Sequence, residues 1–354
     1  MSNWTDYLAK RGARFDADDT TLVDDFGKPL DTDTLAGGFV ATVTDQGLIA
    51  VAGEEAAKFL HSQLTSDIEH LPLDAAGFAG FCTPKGRLQA SFLVWRDADA
   101  VYLQLPREIQ APLQKRLSMF VLRSKARLRD ATAEAPFEAV LGFGGARAQA
   151  ALGRFATLPD APMGKTSGAF GTVLRLNDAF GAPRYLWLAT SDAASAALDA
   201  LGALGDQLPL GGNQAWRLGA IHAGEPQVSA ATQEQFVPQM INLELLGGVS
   251  FRKGCYPGQE IVARTKYLGK IKRRTALASI DGATARAGDE VYSLADPDQP
   301  CGMVVNAAPN GRGGADALVE IKLAALDGRV ALGSAGGAPL RFLPLPYSLD
   351  ALDD

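Results

Sequence analysis

FRKGCYPGQEIVARTKYLGKIKRR, residues 251 to 274, breaks the charge pattern of the chain around it. The 354-residue protein has a net charge of −6, yet this stretch holds eight Lys or Arg, the single carboxylate Glu260 and one of only three cysteines. Pro257 suits the first turn of a helix, because its ring fixes φ and its missing N–H would have no intrahelical partner there. Gly269 reads as a C-terminal stop. The pattern therefore predicts a helix from about 257 to 267, with Glu260 and Arg264 paired one turn apart. Cys255 would lie just ahead of that helix, where unpaired amides and the helix dipole favour an anion. With Lys253 two residues away, the thiol is expected to ionise readily and act as a nucleophile. Gly254 and Gly258 would permit a tight backbone and the close approach of a ligand. The alternative is a solvated basic helix following a buried cysteine, and the residues alone leave both readings open.

Downstream of this stretch the periodicity shortens. TALASI (275–280), DEVYSL (289–294), CGMVVNAA (301–308), ALVEIKLAAL (317–326) and LRFLPLPYS (340–348) are short runs separated by Gly, Pro, Asp and Asn. Strands at this spacing predict a separate all-β module, a small sandwich or barrel.

Upstream, after a polar leader, helices alternate with strands. EEAAKFLHSQL (54–64) repeats apolar residues at Ala57, Leu60 and Leu64, which is helical spacing. FAGFCT and LQASFLVWR flank the turn Pro84-Lys85-Gly86 and predict a hairpin. VYLQLP is a further strand, residues 107–123 return to helical spacing through Ile109, Leu113, Leu117 and Val121, and KARLRDA closes with a strand. Residues 137 to 223 run similarly, with Asp192 expected to cap one helix and NQAWRLGAIHAG (213–224) forming another. Helices on one face of a mainly antiparallel sheet make an α+β fold. Three units follow, at 33–135, 136–270 and 271–354.

Composition narrows the function. A chain with 47% hydrophobic and 21% charged residues belongs with ordinary globular proteins. No apolar run approaches the ~20 residues that span a bilayer. The first residues carry four aspartates and no apolar core, so neither a secretory signal nor a transit peptide is expected, and the reading is cytoplasmic. Cys82, Cys255 and Cys301 form no CxxC pair and the three histidines no HExxH, so no metal site is expected. Acidic net charge disfavours duplex nucleic acid, whose binding requires many phosphates to be neutralised. PDAPMGKT (159–166) has Pro159 where a phosphate loop needs its first glycine, and GFGG (142–145) has Arg147 where a dinucleotide fingerprint needs one. GFGG is read as a tight strand-to-helix turn, Cys82 and Cys301 as core residues, and His222 as a helix-surface residue.

The motif KGCYPGQE, preceded by VPQMINLELLGGVSF and followed by VARTKYLGKIKRR, resembles the hallmark of the folate-binding YgfZ family, relatives of the glycine-cleavage aminomethyltransferase (T-protein) that support iron–sulfur enzymes. FLHSQLTSDIEHL, AGFCTPKGRL and AIHAGEPQV are similar to further family segments. The resemblance implies two ferredoxin-like units and a C-terminal β-barrel around a central folate channel. It places the family cysteine on Cys255, with Lys253 beside it as the second catalytic residue. Trp216, Gly254, Gly258, Gln259, Glu260 and Arg264 would bind tetrahydrofolate or a derivative. A second family tryptophan falls on Gln46. The acidic pair of the T-protein falls on Ala90 and Ser91, and its folate-contacting glutamate on His222, so glycine cleavage is not expected. Lys266, Lys270 and Lys272 would attract an anionic ligand or partner.

The resulting expectation is a monomeric, folate-binding accessory protein for iron–sulfur cluster assembly or repair in client enzymes, including tRNA-modifying ones, without direct nucleic-acid or membrane contact. A folate-dependent one-carbon transferase and a folate sensor or scaffold without chemistry are the alternatives.

Overall fold

Strand Leu88–Arg96 is buried along eight consecutive residues, which requires cover on both faces of its sheet. The computed structural model describes residues 3–203, 208–267 and 271–349, and it supplies that cover. From edge to edge the first sheet runs Ala76–Cys82, Leu88–Arg96, Ala100–Pro106, Gln46–Ala52 and Arg127–Asp130, all antiparallel. Helices Ala56–Gln63 and Arg107–Ser118 lay Phe59, Leu60, Ile109, Leu113 and Leu117 on one face, against Ile49, Val51, Phe81, Phe92 and Val94. Leu48, Leu93 and Trp95 point the other way, into a central core. Helical structure ends at Ser118, short of the apolar pattern through Val121.

The second sheet is ordered Lys165–Gly168, Gly171–Ala179, Ala182–Ala189, Ala139–Gly144, Phe39–Thr42 and Leu210–Gly211. Phe39–Thr42 precedes the whole first sheet in the chain, yet it pairs with Ala139–Gly144 of the second. The polar leader is folded too. Helix Asn3–Lys10 buries Trp4 and Leu8 against Leu198 and Leu201 of helix Ser191–Ala203, and the Tyr7 hydroxyl donates to Asp199 at 2.8 Å. Thr190, not Asp192, caps that second helix, its Oγ1 accepting from the Ala193 amide at 3.3 Å. Asp192 sits inside the first turn, where a carboxylate still favours the dipole.

The third sheet runs Val330–Leu332, Glu290–Ser293, Asp296–Pro309, Ala315–Lys322, Arg273–Ile280 and Leu340–Leu343. It curls until a bridge from Ala331 to Pro339 ties its two edges. Leu48 and Trp95 from the first sheet, Leu174 and Leu186 from the second, and Leu277, Val305 and Leu318 from the third meet in one core. Helix Asn213–His222 passes through it with Ala215, Trp216, Leu218 and Ile221 buried. The chain from 225 to 250 then threads between the sheets. The Val228 amide donates to Ser91 Oγ (2.9 Å), that of Gln227 to Asn306 Oδ1 (2.7 Å) and that of Ser250 to the Thr65 carbonyl (2.9 Å). Among the described residues no helix is long and apolar enough to cross a membrane.

Candidate functional site

Where the three sheets meet, they leave a narrow cleft with a cavity volume of about 80 Å³. Gln46, Ser91 and Gln104 reach it from the first sheet, Arg184 from the second, Trp216 from the 213–222 helix, and Glu225 from the start of the crossover. Phe78, Leu93, Leu176 and Ile221 supply apolar walls.

Trp216 owes its place to a glycine. A Cβ on Gly142 would lie 2.2 Å from the indole Cε3, and one on Gly144 would lie 2.4 Å from the Phe39 ring. Two glycines of GFGG therefore exist to admit aromatic rings onto the sheet, while Gly145, at φ +85°, makes the turn. The Arg184 guanidinium carbon sits over the Trp216 ring, 4.5 Å from its centroid. Its Nη1 donates to Glu225 Oε2 at 2.8 Å, in an ion pair almost wholly out of solvent.

Gln46 exchanges two hydrogen bonds with Gln227, at 2.7 and 3.2 Å. Ser91 lines the cleft, whereas Ala90 faces the helices on the far side of the sheet. His222 does not reach the cleft, and its placement departs from the helix-surface expectation. Its Nε2 lies 2.7 Å from Asp316 Oδ2 on the third sheet, with the Phe180 ring against its imidazole.

The 251–274 stretch forms a second centre. Its helix is Gln259–Tyr267, so Pro257 and Gly258 form a turn ahead of it, and the exposed Cys255 precedes the first helical residue by four positions. The Lys253 ammonium donates to the carbonyls of Leu64 (2.6 Å), Ser66 (3.2 Å) and His61. It thus binds the carbonyl end of helix Ala56–Gln63, a favourable place for a cation. Burial pushes its pKa down to about 8, against the pull of Asp67 and Glu69. The ammonium also lies 5.0 Å from the ring centroid of buried Tyr256, whose hydroxyl has no hydrogen-bond partner.

Gly258 adopts φ +84°, and a Cβ there would lie 2.5 Å from the Thr83 carbonyl oxygen and 2.7 Å from Gly86 Cα. The 84–86 hairpin turn therefore packs directly on the motif. A Cβ on Gly254 would meet nothing within 4 Å, so that glycine answers no steric demand. Glu260 and Arg264 are both exposed, and no ion pair joins them. Solvent screening leaves such a pair little energy to repay the order it would need.

Four of the seven described cations have structural partners, Lys253 among them. Lys266 lies 4.3 Å from the Phe251 ring centroid, Arg273 pairs with Glu320 and Arg274 with buried Glu244. Arg252, Arg264 and Lys272 remain exposed, while Gly269 and Lys270 lie outside the described residues.

Of the residues singled out from the sequence, Trp216, Gln46 and Ser91 line the cleft, and none from 253 to 264 does. Strand Leu88–Arg96 links the two centres. It starts beside the turn that touches Gly258, and Ser91 lies three residues along it, about 10 Å farther on. Phe78 lines both the central cleft and a second one that includes Ser66 and Ser250, next to the Lys253 anchor. Gln104, Arg184 and Glu225 were missed. A lone Arg in the apolar run APRYLWLA (182–189) and a lone Gln in VYLQLP were the available signals.

No protein-family model matches the chain. It is 34% identical over 317 residues to the tRNA-modifying protein YgfZ of Serratia proteamaculans, covering 87% of this chain and 92% of that one. It is 30% identical over 325 residues to the protein of the same name in Escherichia coli, covering 87% and 93%. Among solved structures, the glycine cleavage system aminomethyltransferase T from Bartonella henselae superposes with a TM-score of 0.72 at 15% identity, over 97% of this chain and 95% of that one. The last match establishes a shared aminomethyltransferase fold, and the sequence matches establish descent: this chain belongs to the YgfZ family of tRNA-modifying proteins.

Proposed function

We propose that the protein is an accessory factor that binds tetrahydrofolate or a derivative in the central cleft and, through Cys255, serves assembly or repair of iron–sulfur clusters in client enzymes, tRNA-modifying ones among them. The observation that carries this reading is an exposed thiol on a loop that is itself fixed. Lys253 holds the loop's start to a helix end, and Gly258 holds its far side to the 84–86 turn. A cysteine so placed can attack an electrophile, exchange with a disulfide or ligate a cluster in transit. An accessible position suits a partner protein as the other participant. Lys253 acts here as the anchor of the loop.

The cleft's partly apolar walls and its uncommitted amide at Gln104 suit a folate head group. Folate would contribute its one-carbon chemistry or act as a ligand that reports folate status. The chain's own residues bind and orient it. Aminomethyl transfer is disfavoured because Ala90 and Ser91 leave the 88–96 strand without a carboxylate to serve the amine. Glu225, the nearest cleft carboxylate in the crossover, is committed to Arg184.

The test is complementation. Cells whose only copy carries Cys255→Ala are expected to keep normal levels of the protein and lose activity of clustered enzymes. Full activity in those cells removes the thiol from the function.

A further inference from the structure

We infer that the cleft selects a neutral heterocycle by its lactam edge: Arg184 takes the ring carbonyl oxygen, and Gln104 reads an adjoining N–H or C=O. This deepens the folate reading and rests on it.

Most polar side chains in the cleft already have partners. Gln46 and Gln227 bond each other, Asn306 accepts from and donates to the Gln227 backbone, and Ser91 Oγ accepts from Val228. Two groups remain. Arg184 is 1% exposed, and its Nε and Nη2 have no acceptor, although a guanidinium carries five N–H bonds. Gln104 is 7% exposed and lines the cleft, and no described residue bonds its side chain. Buried donors without acceptors cost free energy until something supplies the acceptor.

The charge on Arg184 decides what that acceptor is. Glu225, 8% exposed, already neutralises it through the 2.8 Å bond. A carboxylate or phosphate entering beside them would leave a net negative charge out of water, which is expensive. A neutral carbonyl satisfies the free N–H groups and leaves the charge balanced. Gln104 carries one donor group and one acceptor, the complement of a lactam, in which N–H and C=O stand side by side. Arg184 and Gln104 line the cleft from two different sheets. At the mouth Arg217, paired with Asp45, is partly exposed and near solvent, where the charged tail of such a ligand would lie.

Calorimetry with a matched pair of ligands tests this. Tetrahydrofolate and tetrahydroaminopterin differ only at ring position 4, where the first has a carbonyl and the second an amino donor. The 4-oxo ligand should bind about 10- to 100-fold more tightly, because the amino group leaves the Arg184 donors unanswered. Gln104→Leu should weaken tetrahydrofolate about tenfold with an unchanged melting temperature. The charge-balanced double variant Arg184→Met/Glu225→Gln should bind the two ligands alike. Equal affinity of the wild type for both ligands overturns the lactam inference and leaves the folate reading standing. Binding of neither overturns both.

Discussion

The cleft and the cysteine loop solve opposite problems. The cleft is interior, polar and charge-balanced. Its arginine is matched by a glutamate, and its amides bond each other except where a ligand would sit. The loop is exterior and cationic, yet much of its charge is spent on architecture: Lys253 on a helix end, Lys266 on an aromatic ring, Arg273 and Arg274 on carboxylates of the core. Charge density in a sequence therefore does not by itself mark a ligand site. In this protein the groups that line the cleft are uncharged or neutralised, and the charged stretch surrounds an exposed cysteine.

Breaking the cleft should have the largest effect on stability. Arg184→Leu strands Glu225 as a buried, unpaired carboxylate and should cost about 3–5 kcal/mol. Urea denaturation measures it, and a loss below ~1 kcal/mol would mean that solvent reaches the pair. Within the loop the two glycines should separate sharply. Gly258→Ala places a side chain at positive φ against backbone and should cost at least about 1–3 kcal/mol. Gly254→Ala, facing open space, should change stability by no more than about 0.5 kcal/mol. Equal effects would show that the hairpin turn does not rest on the motif.

Lys253 gives a smaller, pH-dependent signal. Its native pKa of about 8 lies below its ordinary value of 10.5, so between those limits the unfolded chain holds more protons than the native one. Stability of the wild type relative to Lys253→Met should therefore rise as pH climbs from about 8 to 10.5 and stay level below that window. Thermal melts of the two proteins across this range check the sign; a relative fall would mean that the three carbonyls hold the proton more firmly than burial repels it. Cys255→Ala, at an exposed position, should alter stability least, within about 0.5 kcal/mol.

Much of this was legible in the sequence where the signal was local. Helical spacing marked Ala56–Gln63, the Pro84–Gly86 turn marked its hairpin, and the short β runs marked the third sheet. What escaped depended on contacts between distant residues. Nothing near Phe39–Thr42 says that it joins a sheet whose next strand begins a hundred residues later. The two glycines within the 142–145 run were explained by rings from helix 213–222 and from Phe39, which no local turn rule contains. Lys253 read as a neighbour of the thiol, but its long stem carries the ammonium to the 61–66 segment. Arg184 and Gln104 were single polar residues in apolar strands, visible as exceptions but without a partner to give them meaning.

The most direct test of two centres with separate duties is tetrahydrofolate binding measured by calorimetry on wild type, Cys255→Ala and Gln104→Leu in parallel. Cys255→Ala should bind within twofold of the wild type, while Gln104→Leu loses about tenfold. Loss of binding in Cys255→Ala, with Gln104→Leu unaffected, would place the ligand at the loop and contradict the account.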